Sequence, residues 1–406
     1  MQGLGGTSEP NGIYGGGTTY SDAQVLSLLT AADIVEDWSV DLLDSNLGHK
    51  ADLSWAVDRG GADIAHDSTA AVKRTVAIPK VSGASLIDAR LPGSSGIAAP
   101  LLVTDVLRIW YKLGTPDGGW LRVPMGTFMQ PAPAVTSSTE AGTWLAIQGA
   151  DLCQFLLEAT FATSYATGVG ETYQAAIRSI LMLAGGIFVR GYAFWIPDSG
   201  QIIQAPLGWD AGVSLLTAIN QLLAAIGYTS AYTDAMGMIR AVPLPDFAAY
   251  SASFTFDCTQ GQAIVTGPIT RSPDPSKIFN ACKVVGEDAR KSAVNALYLN
   301  NSPTSPISIL NLGRTKLLLI KDSQVADYAS AFARAKYEVQ IAAANFAPIS
   351  LRTFAWPFSE NMDVYRLVYR TPDEGVVSYL VQEQKWAHHL GAGGQSTHTL
   401  NVVTAV

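Results

Sequence analysis

The stretch Ser323–Asn345, SQVADYASAFARAKYEVQIAAAN, followed by Ile349–Phe354, ISLRTF, decides how this chain is read. Val325, Tyr328, Phe332, Ala335 and Val339 recur at steps of three and four residues, which predicts one long helix from Ser323 to about Asn345 with a single apolar stripe. Ile349–Phe354 then reads as a strand. Beyond it, a turn at Glu360-Asn361 leads to Val364–Arg370, and the turn Thr371–Gly375 leads to Val376–Trp386. Thr397–Val403 closes the chain. Helix, strand, hairpin, hairpin makes a compact terminal unit.

Working outward, residues 1–22 hold seven of the 37 glycines, which predicts an arm ordered only by a partner. Short strand signals follow. Trp38, Val40 and Leu42 alternate with Asp37, Ser39 and Asp41, and Leu53, Trp55 and Val57 repeat the pattern. Val72–Ile78, Val106–Leu113, Trp120–Val123 and Thr143–Gln148 complete the set, with Pro116-Asp117-Gly118-Gly119 as a hairpin turn. Strands at this spacing predict a barrel or sandwich. The middle changes character. Asp151–Ala159, Glu171–Ala184 and a segment starting at Asp210 and stopping at Gly227 read as helices. Tyr228–Asp234 and Met238–Val242 read as a hairpin. From Phe254 the chain is β-like again, with Phe279–Val285 and Lys316–Ile320 as strands around the polar loop Ser302–Ser308. The expected division is an arm at 1–22, a first β domain at 23–150, an α/β insert at 151–253 and a second β domain at 254–406 that carries the helix 323–345.

Composition narrows the function. Of 406 residues, 48% are hydrophobic and only 15% charged, so several cores can form beneath a surface of small polar side chains. A net charge of −8 with no basic run argues against a nucleic-acid footprint. Cys153, Cys258 and Cys282 are too widely spaced for a disulfide framework or a metal motif. No signal peptide or membrane span is read, so a soluble protein made in the cytoplasm is expected.

The terminal pattern, Asp327-Tyr328-Ala329 through Ala335-Lys336-Tyr337, Met362-Asp363-Val364-Tyr365, Tyr379-Leu380-Val381 to Trp386 and the turn Gly391–Gly394, resembles the C-terminal part of tail hub proteins of long-tailed bacteriophages. Asp52-Leu53-Ser54-Trp55, Asp105–Tyr111 and Pro124-Met125-Gly126-Thr127-Phe128 resemble the first domain of such proteins. The resemblance implies a β-rich α+β chain with two tail-tube-like β-barrel or sandwich domains and an inserted small α/β domain. It also implies a homotrimer, whose two similar barrels per copy dock on a six-fold tube or distal ring. The partners it implies are distal ring proteins, a tape measure protein and tail-tip or receptor-binding proteins. DNA would only pass through the channel. The chain ends at Val406 after its last predicted strand, so any lytic or receptor-binding activity is expected on another protein.

No constellation of residues rises to a catalytic, cofactor or metal site. Gly15-Gly16-Gly17-Thr18-Thr19 lacks the Lys of a phosphate loop. His388, His389 and His398 come close if the last two strands pair, with Glu383 as the nearest acid, but polar strand-end roles outweigh a zinc site. His49 and His66 form no triad. Asp33, Glu36, Asp37 and Asp41 read as the polar side of a strand rather than a glycosidase pair. Facing a channel, such acids would let DNA slide. Trp38, Trp55, Trp110, Trp120 and Trp144 read as core or subunit-interface anchors before sugar platforms. Asn300-Asn301-Ser302 is a chance glycosylation match. The alternative to a structural hub is a carbohydrate-binding or adhesive β-protein of the tail tip.

Overall fold

Period-two alternation of apolar and polar residues buries one face of each strand, and here the buried faces of both β regions converge on one core. The computed structural model describes residues 27–29, 31, 34–44, 46–54, 57, 61–82, 106–129, 134–138, 142–185, 194–204, 206–244, 251–259, 264–274, 278–286, 294–321, 325, 327–373, 375–391 and 393–403. The expected arm at 1–22, the Gly15–Thr19 loop, Asp33 and Trp55 lie outside them.

The first β region comprises β1 (Glu36–Leu43), β2 (His49–Asp52), β3 (Ala62–Asp67), β4 (Arg74–Ser82), β5 (Val106–Gly114), β6 (Trp120–Met129), β7 (Ala134–Ser138) and β8 (Gly142–Asp151). The middle segment holds α1 (Cys153–Glu158), β9 (Tyr165–Ala166), α2 (Tyr173–Leu183), β10 (Phe194–Trp195), β11 (Gly208–Trp209), α3 (Leu215–Ala225), β12 (Tyr232–Thr233) and β13 (Ile239–Arg240). Then come β14 (Phe254–Asp257), β15 (Thr270–Arg271), β16 (Ala281–Val285), β17 (Asn295–Leu299), α4 (Ile309–Leu312) and β18 (Leu317–Lys321). The chain finishes with α5 (Tyr328–Ala344), β19 (Ile349–Phe354), β20 (Val364–Thr371), β21 (Gly375–Leu390) and β22 (Gln395–Val402).

A sheet of fourteen strands carries both β regions in the order β15-β19-β22-β21-β3-β4-β8-β6-β5-β1-β2, with β7 on β8 and β14 on β20, which itself pairs with β21. The long strand β21 is its spine. One edge of β21 pairs with β22, while the other serves β20 over Gly375–Gln382 and then β3 over Lys385–Leu390. The change of neighbour falls at the register irregularity between Glu383 and Lys385. A bulge there bends the strand and re-aims its edge. Val40, Leu42, Ile64, Leu107 and Phe128 of the first region accordingly share a core with Leu351, Trp356, Leu367, Trp386 and Leu400 of the last.

The middle segment buries its own core, in which Ile177, Ile180 and Leu181 of α2 meet Leu216, Ile219, Leu222 and Leu223 of α3. A separate three-stranded sheet, β17-β16-β18, is covered on one face by α5 through Cys282, Val284, Ala296, Ala331, Ala335 and Val339.

Several expected bounds are corrected. α5 starts at Tyr328 rather than Ser323 because the Asp327 carboxylate accepts the Ser330 amide at 2.8 Å and caps it there. Tyr328 is off the stripe, 58% exposed. α3 starts after Ser214, whose hydroxyl accepts the Thr217 amide at 3.2 Å, rather than at Asp210. The strand expected over Leu53, Trp55 and Val57 is displaced: β2 precedes it, and only an isolated bridge joins Val57 to Val81. β3 carries no strand signal in the sequence. Its inward residues Ala62, Ile64 and His66 are a small, an apolar and a polar side chain.

Candidate functional site: a buried polar junction and an exposed leucine face

The first β region, the middle segment and the terminal unit meet around one buried cation. Arg74 opens β4, 2% exposed, and its guanidinium donates to the Met125 carbonyl at 3.1 Å and to Glu360 at 2.7 Å. The Met125 carbonyl is available because the β5–β6 register slips between Ile109 and Trp110. Gly126 is required beside it: a Cβ there would stand 2.4 Å from the Phe128 ring and 3.0 Å from Arg74 Cδ. Glu360 in turn accepts the Ala235 amide at 3.2 Å, which ties the β12–β13 hairpin to the terminal unit. Thr127 and Arg108 donate to the Ala235 and Met236 carbonyls at 3.0 and 2.8 Å, tying the same hairpin to β6 and β5.

Asp151 ends β8 and binds backbone. One carboxylate oxygen accepts the Lys73 and Arg74 amides at 2.9 and 2.8 Å, and the other accepts the Cys153 amide at 2.8 Å. Burial pushes its pKa up, and those amides together with the Arg74 charge pull it down. Lys73 Nζ donates to the Ser68 and Ala70 carbonyls and to Ser230, and burial holds its pKa below the usual lysine range. Beside it lies a cavity of about 300 Å³ whose wall mixes Asn220, Arg334 and Glu338 with Leu244, Ile341 and Met362.

On the terminal side the chain of hydrogen bonds continues. Asp363 accepts the Glu360 amide at 2.9 Å and the Tyr365 hydroxyl at 3.3 Å, and burial beside Glu360 and Glu383 pushes it up to about 7. Ser359 donates to Glu383 at 3.2 Å, and Glu383 lies 3.0 Å from His398 Nδ1. His398 Nε2 meets Thr353 at 3.1 Å, and His388 Nδ1 bonds Ser396. Removing Arg74 from such a network leaves a buried carboxylate uncompensated, which costs far more than the intact pair contributes.

The candidates named from sequence separate. β21 and β22 pair and bring His388 and His398 to 6.1 Å between ring centroids, whereas His389 points outward to Asp63 at 2.8 Å. Among the described residues, no group of three or more His, Cys, Asp or Glu side chains is disposed to hold a metal. Asp37 pairs with Lys112 at 2.8 Å, Asp41 accepts the Trp110 indole at 2.7 Å and Glu36 accepts the Tyr111 hydroxyl at 2.6 Å. Trp110, Tyr111 and Lys112 of β5 thus engage all three acids, Asp37 by a cation and the other two by neutral donors. Trp38 and Trp110 are core residues, and Trp120 is half-exposed beneath Lys112. Asn300 is fully buried and bonds Ser305 and Ser302, which makes it a loop brace rather than a glycan acceptor. The three cysteines are free thiols. Arg74, Asp151, Glu360 and Asp363 were missed as a group because a lone charge in a strand or loop carries no sequence signal of its partner.

A second feature lies on β17-β16-β18. On the face away from α5, Leu297, Leu299, Leu317 and Leu319 are 47%, 42%, 49% and 51% exposed. The register sets Leu299, Ala281 and Leu317 in one row and Leu297, Lys283 and Leu319 in the next. Four leucines clustered on a free sheet face are unusual for an isolated chain. Covering each half-exposed side chain would contribute about 1 kcal/mol.

No protein-family model matches the sequence, and no curated protein matches it by sequence. Its fold is shared with solved tail proteins. It is similar to a tail protein from Neisseria meningitidis MC58 at 10% identity and a TM-score of 0.59, over 90% of this chain and 96% of that one. It is similar to the 43 kDa tail protein of prophage MuSo2 from Shewanella oneidensis at 10% identity and a TM-score of 0.55, over 89% and 98% of the two chains. A chain of the lidded Francisella PdpA–VgrG complex aligns at 8% identity and a TM-score of 0.51, over 93% of this chain and 54% of that one. Among the described residues no helix is long and apolar enough to cross a membrane.

Proposed function

We propose that this chain is a structural protein of a phage-type tail, the central hub at its distal end, where it joins the tail tube or distal ring to the tail tip and closes or guides the DNA channel. The observation that carries the reading is the end-to-end correspondence of its fold with two tail proteins, each covered over nearly its whole length. In this reading three copies form a ring, with tube, tape measure and tip proteins as neighbours and DNA as cargo in transit. A closed ring requires complementary surfaces at fixed angles. The leucine face of β17-β16-β18 is the exposed apolar surface such contacts would cover. Buried carboxylates bonded to Arg74, Tyr365 and His398 fit a scaffold rather than a catalytic cleft.

The adhesive alternative has less support, because cations occupy the faces of the half-exposed tryptophans: Lys112 lies 5.3 Å above Trp120 and Arg240 5.5 Å above Trp195. The deciding measurement is the mass in solution by light scattering over a range of concentrations, with and without a tail-tube ring protein. A trimer that captures the ring supports the hub. A concentration-independent monomer that ignores the ring and is retained on polysaccharide would sink it in favour of the adhesin.

A further inference from the structure

Among the described residues, the sheet pairing that joins the first β region to the terminal unit is a single ladder, β3 against β21, from Ala62↔Leu390 to Asp67↔Lys385. Inside that ladder His66 stands opposite Trp386. The two rings stack at 5.3 Å and 11°, and His388 stacks on the same indole at 4.3 Å. The Arg74 guanidinium lies 5.2 Å from the Trp386 ring. All four side chains are buried.

Their polar atoms are poorly provided for. Neither ring nitrogen of His66 has a partner of hydrogen-bond geometry, with the Asn361 amide beside it, and His388 Nε2 and Trp386 Nε1 are likewise unbonded. An aromatic stack tolerates neutral imidazoles, whereas a buried imidazolium requires a counter-charge.

The surrounding carboxylates are already engaged. From β3, Asp67 is held by Lys385 at 2.6 Å and by Thr69 at 2.6 Å. From the 359–363 loop, Glu360 is taken by Arg74 and Asp363 by Tyr365 and the Glu360 amide. From β21, Glu383 faces His398 of β22, and from β8, Asp151 is occupied by backbone amides. The remaining charges, Arg74 and Lys73 next to β3 and His398 beside His388, oppose a further proton.

We propose that the β3–β21 seam is an acid-released latch: protons taken up by His66 and His388 part the ladder and free the first β region from the terminal unit.

The sign follows from linkage. Burial depresses both imidazoles well below their usual 6.5, so the closed seam has its full stability above that pH and loses it as pH falls below. The opening constant should rise about tenfold from pH 7.5 to 5.5 if one ring titrates on opening, and about a hundredfold if both do. Glu360, Asp363 and Glu383 have raised pKa values and act in the opposite direction over the same range. They are common to the wild type and to a His66→Phe/His388→Phe variant, so a comparison of the two isolates the rings.

The test is amide exchange followed by mass spectrometry at pH 7.5 and 5.5, corrected for intrinsic rates. It is read at 62–67 and 385–390 against 107–113 of β5 as an internal reference. Relative to H66F/H388F, which carries the same carboxylates, the latch predicts about tenfold or more additional seam exchange in the wild type between pH 7.5 and 5.5, with an unchanged reference. An identical pH response of the seam in the wild type and the double variant overturns it. So does, if that variant does not fold, an identical response in both single variants.

Discussion

The core of the middle segment is fully buried and the junction around Arg74 nearly so, with the Glu360 side chain 17% exposed, yet they are built on opposite principles. Between α2 and α3, Ile177, Ile180, Ile219 and Leu223 pack without a charged group among them. Around Arg74, an arginine, four carboxylates and two histidines lie in one network with backbone amides and hydroxyls, drawn from segments far apart in the chain. The apolar core is non-directional and tolerates local collapse. The polar junction depends on each partner being present, because an orphaned charge cannot be rehydrated there.

The largest expected effect is at Arg74. Arg74→Met should destabilise the fold by about 3–5 kcal/mol, since Glu360 keeps its burial and loses its cation. Urea unfolding monitored by tryptophan fluorescence measures it, and Arg74→Met/Glu360→Met should recover much of the loss. Failure of the double variant to recover anything would place the energy in packing rather than in charge pairing.

Ile219→Ala should cost about 3 kcal/mol through the cavity it leaves, and should loosen only the middle segment. Exchange spreading equally into β3 and β21 would show that the two regions unfold as one.

Gly61→Ala sharpens the comparison at the seam. A Cβ at Gly61 would stand 2.4 Å from the Leu390 carbonyl, and its φ of +116° suits only glycine, so a loss of about 2 kcal/mol is expected. Limited proteolysis between the two β regions should accelerate. The smallest effect on stability is expected at the leucine face, where Leu319→Asn should shift unfolding by less than about 0.5 kcal/mol. The same substitution should weaken self-association in light scattering. Unchanged mass would remove the face from the assembly surface.

Much of the local structure was legible. The stripe Val325, Tyr328, Phe332, Ala335, Val339 foretold α5, although Tyr328 turns outward and Val325 precedes the helix, and the alternation of Trp38, Val40 and Leu42 foretold β1. The sequence left His398 free to approach either His388 or His389 if the last two strands pair, and favoured polar strand-end roles. The structure sets His398 beside His388, with Glu383 3.0 Å away, and buries both rings. His66 was not placed with them, because β3 has too little apolar alternation to be seen as a strand. The helix starts were misplaced by a few residues because Asp210 and Asp327 compete with other capping residues nearby, and only side-chain hydrogen bonds decide between them.

By itself the sequence determined what depends on near neighbours: helix periods, strand alternation, turns and the absence of a long apolar span. Only the tertiary structure decided that both β regions form one sheet along β21, and that Arg74 finds Glu360 across 286 residues. The reason is physical. Apolar residues announce burial through their spacing, whereas a buried charge is stable only beside a specific partner, and nothing in the local pattern says where along the chain that partner lies.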